Sequence, residues 1–421
     1  MNSDIKNIGI IGSGVAGLTV AYLLQRKYNI TLFEKNDYIG GHTHTIIIPD
    51  GPDAGIPVDT GFIVMNHKNY PFFTRLLETL GVELRDSVMS FGYHDEVTGL
   101  EYSSLHFNGL FAQRRNLFNP RFYSMLFEIM RFFREAPVAL EEGKLAGLTL
   151  GDYFSRNNFS AYFIEHHILP MGCAIWSTPN NTMLDFPAES FIRFYKNHGL
   201  LSVGGQPQWR TVVGGSHSYV KKILNDFKGK VYNNKQITSV KRIEGGVTVL
   251  AQDGQQFNFD EVVIAAHADE AFTMLADPST DERKFLSPWR YNRNDTILHT
   301  DFSAMPPNRR AWSSWNFVRE SEGDNALSLT YHMNLLQGLS ANQQYFVTLN
   351  RRKPIPRNKI IAEMLYTHPI YTADSMRAQK DLPSLNGKLN TWFCGSYFGY
   401  GFHEDAVRSA VAVARDFGIE L

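Results

Sequence analysis

Three glycines near the amino terminus have the spacing of a loop that binds a pyrophosphate. Gly12, Gly14 and Gly17 follow an apolar run typical of a buried parallel strand, and residues 18–27 have the apolar spacing of a helix. In this pattern the first glycine permits a tight turn, the second lets the backbone approach the phosphates and the third allows close helix–strand packing. The helix amino terminus then offers free N–H groups. The pattern predicts a dinucleotide site.

An acidic residue follows at the distance that a ribose contact requires. Residues 29–33 read as a second strand and end on Glu34, on the order of 20 residues beyond the last glycine of the loop. A carboxylate there accepts hydrogen bonds from ribose hydroxyls and disfavours a 2′-phosphate, so NADP is not expected. A glycine motif alone would be equally typical of a plain turn. The strand, loop, helix and acid together favour the nucleotide site.

A glycine pair soon after Glu34 indicates which dinucleotide to expect. Gly40 and Gly41 are followed by His42, and residues 58–62 read Val-Asp-Thr-Gly-Phe. This order resembles the FAD-dependent amine oxidase superfamily, in which such a pair passes close to the cofactor. The superfamily commonly has arginine directly after the glycine pair. His42 stands there instead, so this sequence departs from the family at a residue expected near the cofactor phosphates. The resemblance implies that the cofactor is FAD.

Later segments resemble the same family. Residues 214–216 read Gly-Gly-Ser before a predicted helix, and Ile237 stands where the family has an apolar residue against the adenine. Residues 260–265 resemble the strand that ends the nucleotide-binding section, and residues 392–406 resemble the closing flavin motif. Within the superfamily the sequence most resembles bacterial predicted NAD/FAD-binding proteins, which are related to the flavin-like domain of some cyclopropane fatty acid synthases.

The resemblance implies an α/β fold built from two discontinuous domains. A Rossmann-type FAD-binding domain is expected at 1–75, 206–265 and 386–421, and an α+β substrate domain of the amine oxidase type at 76–205 and 266–385. We expect the first insertion to be mostly helical and the second to contribute strands, such as residues 295–300 and 326–333.

The resemblance and the glycine pattern together assign a set of residues to FAD. Phe402 matches one of the two rings that frame the substrate amine in amine oxidases, and Tyr397 stands where that family often has glutamate; both are predicted to line the substrate pocket. Many amine oxidases carry a lysine that is missing from residues 293–296, which weakens classical amine oxidation. No catalytic residue is assigned. The predicted FAD-binding residues are Gly12, Ser13, Gly14, Ala16, Gly17, Glu34, Lys35, Gly41, His42, Gly61, Ile237, Gly395, His403 and Glu404.

The stretch Phe118–Leu140 combines aromatic, methionine and arginine residues. Asn119 can cap a helix and Pro120 can start it. Phe127 and Phe132 fall outside its apolar face, among arginines. The composition fits a helix at a membrane surface, and it also fits a substrate-domain helix packed on two sides; both interpretations stay open. The predicted apolar face consists of Phe122, Leu126, Ile129, Met130 and Phe133.

Composition limits the classes of partner. The formal charge is −1, so no global basic field is present for nucleic acid. Aromatic residues make up 13% of the chain, which favours a large apolar pocket or contact surface. No apolar run reaches the roughly 18 residues of a membrane span. Only the Phe118–Leu140 stretch and the basic residues 351–359 suggest peripheral contact with a membrane, and the oligomeric state is not predicted.

Cysteine and histidine spacing predicts neither a disulfide nor a metal site. Cys173 and Cys394 lie far apart, and the pairs His42/His44 and 166–167 lack a third ligand at suitable spacing. Cys394 is expected to be a buried structural thiol. With no secretory signal pattern at the amino end, we expect a cytoplasmic protein, with the inner face of the membrane as a possible peripheral site.

Three functions remain open at this stage. The first is an FAD-dependent oxidoreductase that desaturates or isomerises an apolar substrate, such as an unsaturated or modified fatty acyl chain. The second is an amine oxidase that releases peroxide and an imine. The third is a non-catalytic flavoprotein that partners a lipid-modifying enzyme. The aromatic content and the cyclopropane-lipid resemblance favour the first.

Overall fold

The computed structural model describes residues 5–176, 183–202, 204–321 and 327–421. In chain order the strands are β1 (Asn7–Ile11), β2 (Asn29–Phe33), β3 (Thr45–Ile47), β4 (Pro57–Asp59), β5 (Leu84–Asp86), β6 (Phe91–Asp95), β7 (Leu100–Ser103), β8 (Arg210–Val212), β9 (Lys230–Tyr232), β10 (Ile237–Ile243), β11 (Gly246–Ala251), β12 (Gln256–Phe259), β13 (Glu261–Ile264), β14 (Arg290–His299), β15 (Trp315–Arg319), β16 (Leu327–His332), β17 (Phe346–Leu349), β18 (Ile360–Ile370) and β19 (Thr391–Phe393).

Fourteen α-helices and several short 3₁₀ or π segments are described besides the strands. The α-helices are α1 (Val15–Leu24), α2 (Pro71–Thr79), α3 (Phe107–Leu110), α4 (Pro120–Glu141), α5 (Leu150–Arg156), α6 (Ala161–Phe163), α7 (Leu169–Trp176), α8 (Ala188–Asn197), α9 (His217–Asp226), α10 (Ala268–Met274), α11 (Thr280–Leu286), α12 (Met333–Leu336), α13 (Ala373–Gln379) and α14 (His403–Asp416).

A five-stranded parallel sheet forms the centre of the nucleotide-binding part. Its strand order is β19-β13-β1-β2-β9, and every neighbouring pair is parallel. The apolar residues of β1 point to both faces because both faces are covered. α1 and α14 pack against one face, and the antiparallel sheet β10-β11-β12 covers the other, where Phe259 lies over Gly9. All five strands come from the three segments predicted to bind FAD, although the domain division itself stays a prediction.

A seven-stranded mixed sheet forms the second part. Its order is β18-β14-β17-β16-β15-β6-β7, with β15 and β6 parallel and every other neighbouring pair antiparallel. The strand predicted from residue 295 begins earlier, at Arg290, and residue 326 of the other predicted strand lies outside the described residues. The first insertion contributes helices α3 to α8 and also β6 and β7, so the sheet joins both insertions.

The predicted helix over 118–140 exists, and its packing corrects one expectation. α4 starts at Pro120, and the side chain of Asn119 caps it by accepting the Arg121 N–H at 3.1 Å. Phe132, which the sequence places among the arginines, is fully buried, whereas Phe127, placed there with it, is exposed. The difference arises because α5, α6 and α8 cover this side of α4. Phe132 packs against the rings of Tyr153, Phe154, Phe159, Phe163 and Tyr195.

Among the described residues, no helix has both the length and the apolar character needed to cross a bilayer. The described residues also contain no group of three or more His, Cys, Asp or Glu side chains arranged to hold a metal ion.

Two phenylalanines of α4 provide a matched test of this packing. Phe132→Ala should lower the free energy of unfolding by about 3–5 kcal/mol, because it opens a cavity among five rings. Phe127→Ala, on the same helix but exposed, should change it by no more than about 0.5 kcal/mol. Denaturant unfolding followed by circular dichroism measures both. Equal losses in the two variants would contradict the orientation of α4.

Candidate active site

A cavity of about 1950 Å³ lies between the parallel sheet and the seven-stranded sheet. Its walls include the ends of β1, β2 and β13, strand β18, helices α4 and α7, and the turn before α14. Ligand pockets usually have volumes of about 300–1,000 Å³, so this space can hold a dinucleotide together with a second molecule. It is therefore the candidate active site.

The glycine loop forms one end of the cavity. Gly12 has a φ of 102°, in the left-handed region, and lets the chain turn directly from β1 into α1. A Cβ on Gly17 would lie 1.8 Å from the Gly12 carbonyl oxygen, so helix and strand pack in direct backbone contact. A Cβ on Gly14 would meet no atom within 4 Å and would project into open space beside the cavity. That space, at the amino terminus of α1, suits the pyrophosphate of a dinucleotide.

Glu34 is held in place at the same end. One of its carboxylate oxygens accepts the Ser13 N–H at 3.0 Å and the Ser13 hydroxyl at 2.6 Å. The other accepts the Asn36 N–H at 2.9 Å. Glu34 is buried but lines the cavity. Ser13 therefore orients the carboxylate that the sequence predicts as the ribose contact.

Neutral imidazoles line the middle of the cavity. The His42 ring lies 5.1 Å from that of His368, 6.2 Å from that of His267 and 5.0 Å from the Tyr366 ring. Burial lowers the pKa of all three histidines below the ordinary 6.5, to about 4 for His368. His42 Nε2 is buried and has no hydrogen-bond partner among the described residues. Because an unsatisfied buried polar atom is costly, a ligand in this cavity would supply the missing partner.

The closing motif lines the cavity with rings. Phe402 stacks on Phe194 with centroids 4.9 Å apart, and His403 stacks on Phe62 at 3.8 Å. Burial lowers the His403 pKa to about 3, so this ring is also neutral. The hydroxyl of Tyr397 is buried and finds no partner among the described residues.

Glu404 has a structural role that the sequence does not indicate. Its carboxylate accepts the N–H groups of Phe72 at 3.1 Å and Phe73 at 3.0 Å, in the first turn of α2. It thus satisfies amide groups that lack partners within that helix. Burial raises the pKa of Glu404 to about 7. Glu404 is not among the residues that line the cavity.

The far end of the cavity is apolar. Side chains from α3, α4 and α7 line it without a charged group among them. At its base, burial lowers the pKa of His167 to about 4, so that imidazole is neutral as well. The residues of this apolar branch are Leu110, Leu126, Ile129, Met130, Phe133, Met171 and Ile175.

Most residues predicted from the sequence for FAD or substrate line this one cavity. The exceptions are Gly17, which packs α1 on β1, and Glu404. The role of every one of these predicted residues toward FAD or substrate remains a prediction. The sequence did not indicate His267, Tyr366 or His368. His267 comes shortly after β13, and residues that follow the carboxyl end of a parallel strand often line a ligand site, so this position could have been predicted. Tyr366 and His368 lie on β18, and only pairing between strands far apart in the sequence brings them to the site.

The cysteines lie outside the cavity wall, whereas His44 and His167 of the two histidine pairs line it. Cys394 is buried outside the cavity wall, and burial raises its pKa to about 12. The His44 ring stacks on Tyr38 at 4.1 Å, and His166 Nδ1 lies 3.0 Å from the Tyr93 hydroxyl. These contacts account for both histidines as packing residues.

A family comparison identifies the chain. The model of the flavin containing amine oxidoreductases matches residues 15–294, about two thirds of the sequence. The chain belongs to the flavin containing amine oxidoreductase family. This membership confirms the resemblance, the fold class and the FAD cofactor expected from the sequence, and it places the chain among the FAD-dependent oxidoreductases.

Individual relatives of this family member are distant. An L-amino-acid oxidase of Siganus canaliculatus is 24% identical over 321 residues, which cover 70% of this chain and 56% of the oxidase, so the chain spans just over half of that relative. A CLA-producing fatty acid isomerase from P. acnes has a TM-score of 0.69 at 16% identity, covering 99% of this chain and 100% of the other. A putrescine oxidase bound to putrescine has a TM-score of 0.71 at 14% identity, covering 98% of each. At these identities the structural likeness shows the shared fold.

The glycine loop can be tested through flavin retention. Gly14→Glu should purify without FAD, because its side chain would project toward the space assigned to the pyrophosphate and adds a like charge. Gly17→Leu should lose FAD as well, since its Cβ cannot coexist with the Gly12 carbonyl. Gln25→Glu, at the other end of α1, adds the same charge and should stay fully yellow. Absorbance at the flavin band relative to protein measures all three, and a fully yellow Gly14→Glu would contradict the placement.

Proposed function

We propose that the protein is an FAD-dependent oxidoreductase acting on an apolar, chain-like substrate, such as an unsaturated or modified fatty acyl chain. The reaction would be desaturation or isomerisation by hydride transfer. The observation that carries this proposal is the apolar branch of the cavity, which extends beyond the dinucleotide end between α4 and α7.

The lining of the branch favours an alkyl chain over a cation. Leucine, isoleucine, methionine and phenylalanine offer dispersion contacts and no ion pair, and His167 at the base stays neutral. An alkylammonium group placed there would lose its hydration without gaining a counter-ion. An acyl chain gains free energy with each methylene it buries, about 0.8 kcal/mol per CH₂.

The residues of the chain would position the substrate rather than supply charge. When bound, FAD accepts the hydride from an activated C–H group. The stacked pair Phe402 and Phe194 can hold an unsaturated segment flat, while the branch fixes the rest of the chain and excludes water. Isomerisation returns the hydride to the substrate and needs no further acceptor, whereas desaturation requires one.

Amine oxidation is the second candidate. It is supported by the family match and by the aromatic residue at position 402, which stands where amine oxidases have one of the two rings around the amine. Peroxide release over a panel of monoamines, polyamines and amino acids tests it directly. An absence of peroxide with the FAD-loaded protein would exclude this candidate for the panel.

A pair of α4 variants separates the two candidates. Anaerobic mixing with unsaturated acyl lipids should bleach the flavin band of the wild type, or convert the lipid to a positional isomer detected by mass spectrometry. Ile129→Glu should weaken this reaction at least tenfold in kcat/KM, because a charged group enters the apolar branch. Ser124→Glu, exposed on the same helix, should leave it unchanged.

Two results would contradict the proposal. One is the absence of both bleaching and isomerisation with every acyl lipid, while amines reduce the flavin. The other is equal activity of Ile129→Glu and the wild type on an acyl substrate that the enzyme does turn over.

A further inference from the structure

Large apolar side chains are exposed around α3 and the first half of α4. Phe118 is 87% exposed, Phe107 71%, Phe127 68% and Met130 50%. Isolated exposed apolar residues are common, but several large ones together mark an interaction site. Three of these four are phenylalanines, which suit insertion at a boundary between water and an apolar phase.

Ring contacts and a hydrogen bond link the segments that carry these side chains, since the Tyr123 hydroxyl donates to the carbonyl oxygen of Leu117, next to Phe118. The Phe107 ring lies 4.9 Å from Phe111, whose ring lies 6.0 Å from that of exposed Tyr123. On α4, Tyr123, Phe127 and Met130 have the spacing i, i+4 and i+7, so they lie along one side of the helix. We name this surface the α3–α4 face, consisting of Phe107, Phe118, Tyr123, Phe127 and Met130.

Arginines without acidic partners lie beside the α3–α4 face. Arg114 donates to the Phe111 carbonyl oxygen and to Asn108, and Arg115 donates to the Gly99 carbonyl oxygen. Neither guanidinium lies within 4 Å of a carboxylate in the described part of the chain. These cations are therefore available to an anionic partner.

A neighbouring turn adds more positive charge. Residues Arg309–Ala311 form a 3₁₀ turn that packs against α3, and a Cβ on Gly109 would lie 3.1 Å from the Arg310 carbonyl oxygen. The two arginines of this turn are exposed, and no described carboxylate lies within 4 Å of them. Four arginines thus lie near α3 and the exposed rings.

The basic residues 351–359 differ from the arginines near α3, because some of them pair with carboxylates. Lys353 pairs with Glu96 at 2.6 Å, Lys359 pairs with Asp301 at 2.9 Å, and the guanidinium of Arg351 donates to Ser303. Two of the five basic side chains of that loop are neutralised by carboxylates, and Phe302 is the one exposed phenylalanine in the described residues that flank its Ser303 contact. The α3–α4 face is the better anion-binding surface.

The α3–α4 face also borders the cavity. Leu105 and Met130 line the cavity and are partly exposed, so the apolar branch reaches the surface here. On α4, Leu126 and Ile129 point into the cavity, while Phe127, between them in sequence, is exposed. One helix thus separates the apolar branch from the exposed rings.

We propose that the α3–α4 face docks on the surface of an anionic phospholipid bilayer. Phe107, Phe118 and Phe127 enter the boundary between headgroups and acyl chains, and the arginines contact lipid phosphates. An apolar substrate can then pass from the bilayer beside Met130 into the cavity without crossing water. The entry route rests on the proposed function, but the docking itself can be measured without any turnover.

Vesicle flotation with the FAD-loaded full chain tests the docking. Vesicles of phosphatidylcholine with 30% phosphatidylglycerol should carry the protein upward, and pure phosphatidylcholine vesicles should carry much less. Arg114→Gln combined with Arg115→Gln and Arg310→Gln should weaken binding to the anionic vesicles by roughly 100-fold, since each basic residue contributes about a fivefold factor. Phe107→Ser combined with Phe118→Ser and Phe127→Ser should weaken it at least tenfold, by removing the inserted rings.

Matched triple variants on other exposed surfaces serve as controls. Arg75→Gln with Lys228→Gln and Lys230→Gln removes the same charge, and Ile47→Ser with Val231→Ser and Ile243→Ser removes exposed apolar side chains. Both should float as the wild type does, and FAD content verifies that every variant is folded.

Three results would overturn the proposal. The first is that the wild type does not float with anionic vesicles. The second is that the control variants lose as much binding as the variants of the α3–α4 face. The third is that the face variants convert a dimer into a monomer with no change in flotation, which would assign the face to a second copy of this chain.

Discussion

The direct backbone contact between α1 and β1 is the constraint on which the site depends. A Cβ on Gly17 would lie 1.8 Å from the Gly12 carbonyl oxygen, so only glycine allows the helix to start immediately after the strand. This contact aims the amino terminus of α1 at the cavity and leaves the space beside Gly14 open. It also brings Ser13 within hydrogen-bond distance of Glu34. The geometry of the nucleotide end of the cavity therefore depends on the close approach of Gly17 to Gly12.

A buried carboxylate connects two segments of the predicted FAD-binding part to the second insertion. Asp59 accepts the N–H and hydroxyl of Ser216 and the side-chain amide of Gln337, which lies in the second insertion. Burial raises the pKa of Asp59 to about 6, against the effect of these hydrogen bonds. Since removing one partner of such a network leaves a buried charge uncompensated, the network fixes how the two parts meet. Two motifs that are far apart in the sequence, 58–62 and 214–216, are thereby joined.

The two ends of the cavity are built from different kinds of chemical group. The nucleotide end uses backbone N–H groups and a fixed carboxylate, which suit polar groups common to all dinucleotides. The far end uses side chains of α4 and α7, which suit an apolar chain. Three sides of α4 have different surroundings, since Phe132 packs in the core, Ile129 lines the cavity and Phe127 faces solvent. Changing that helix would change the substrate and leave the cofactor end intact.

The sequence by itself determined the strand–turn–helix that begins the fold and predicted its cofactor residues, because Gly12, Gly14, Gly17 and Glu34 are close in the chain and their spacing is set by local geometry. It also determined the start of α4, where Asn119 caps the helix. Only the tertiary structure decided which sides of α4 are covered, which is why Phe132 was misplaced. It likewise decided that Glu404 caps α2 and that His368 reaches the cavity, since those contacts join elements hundreds of residues apart. Local patterns encode backbone geometry, whereas burial depends on which distant elements pack against each face.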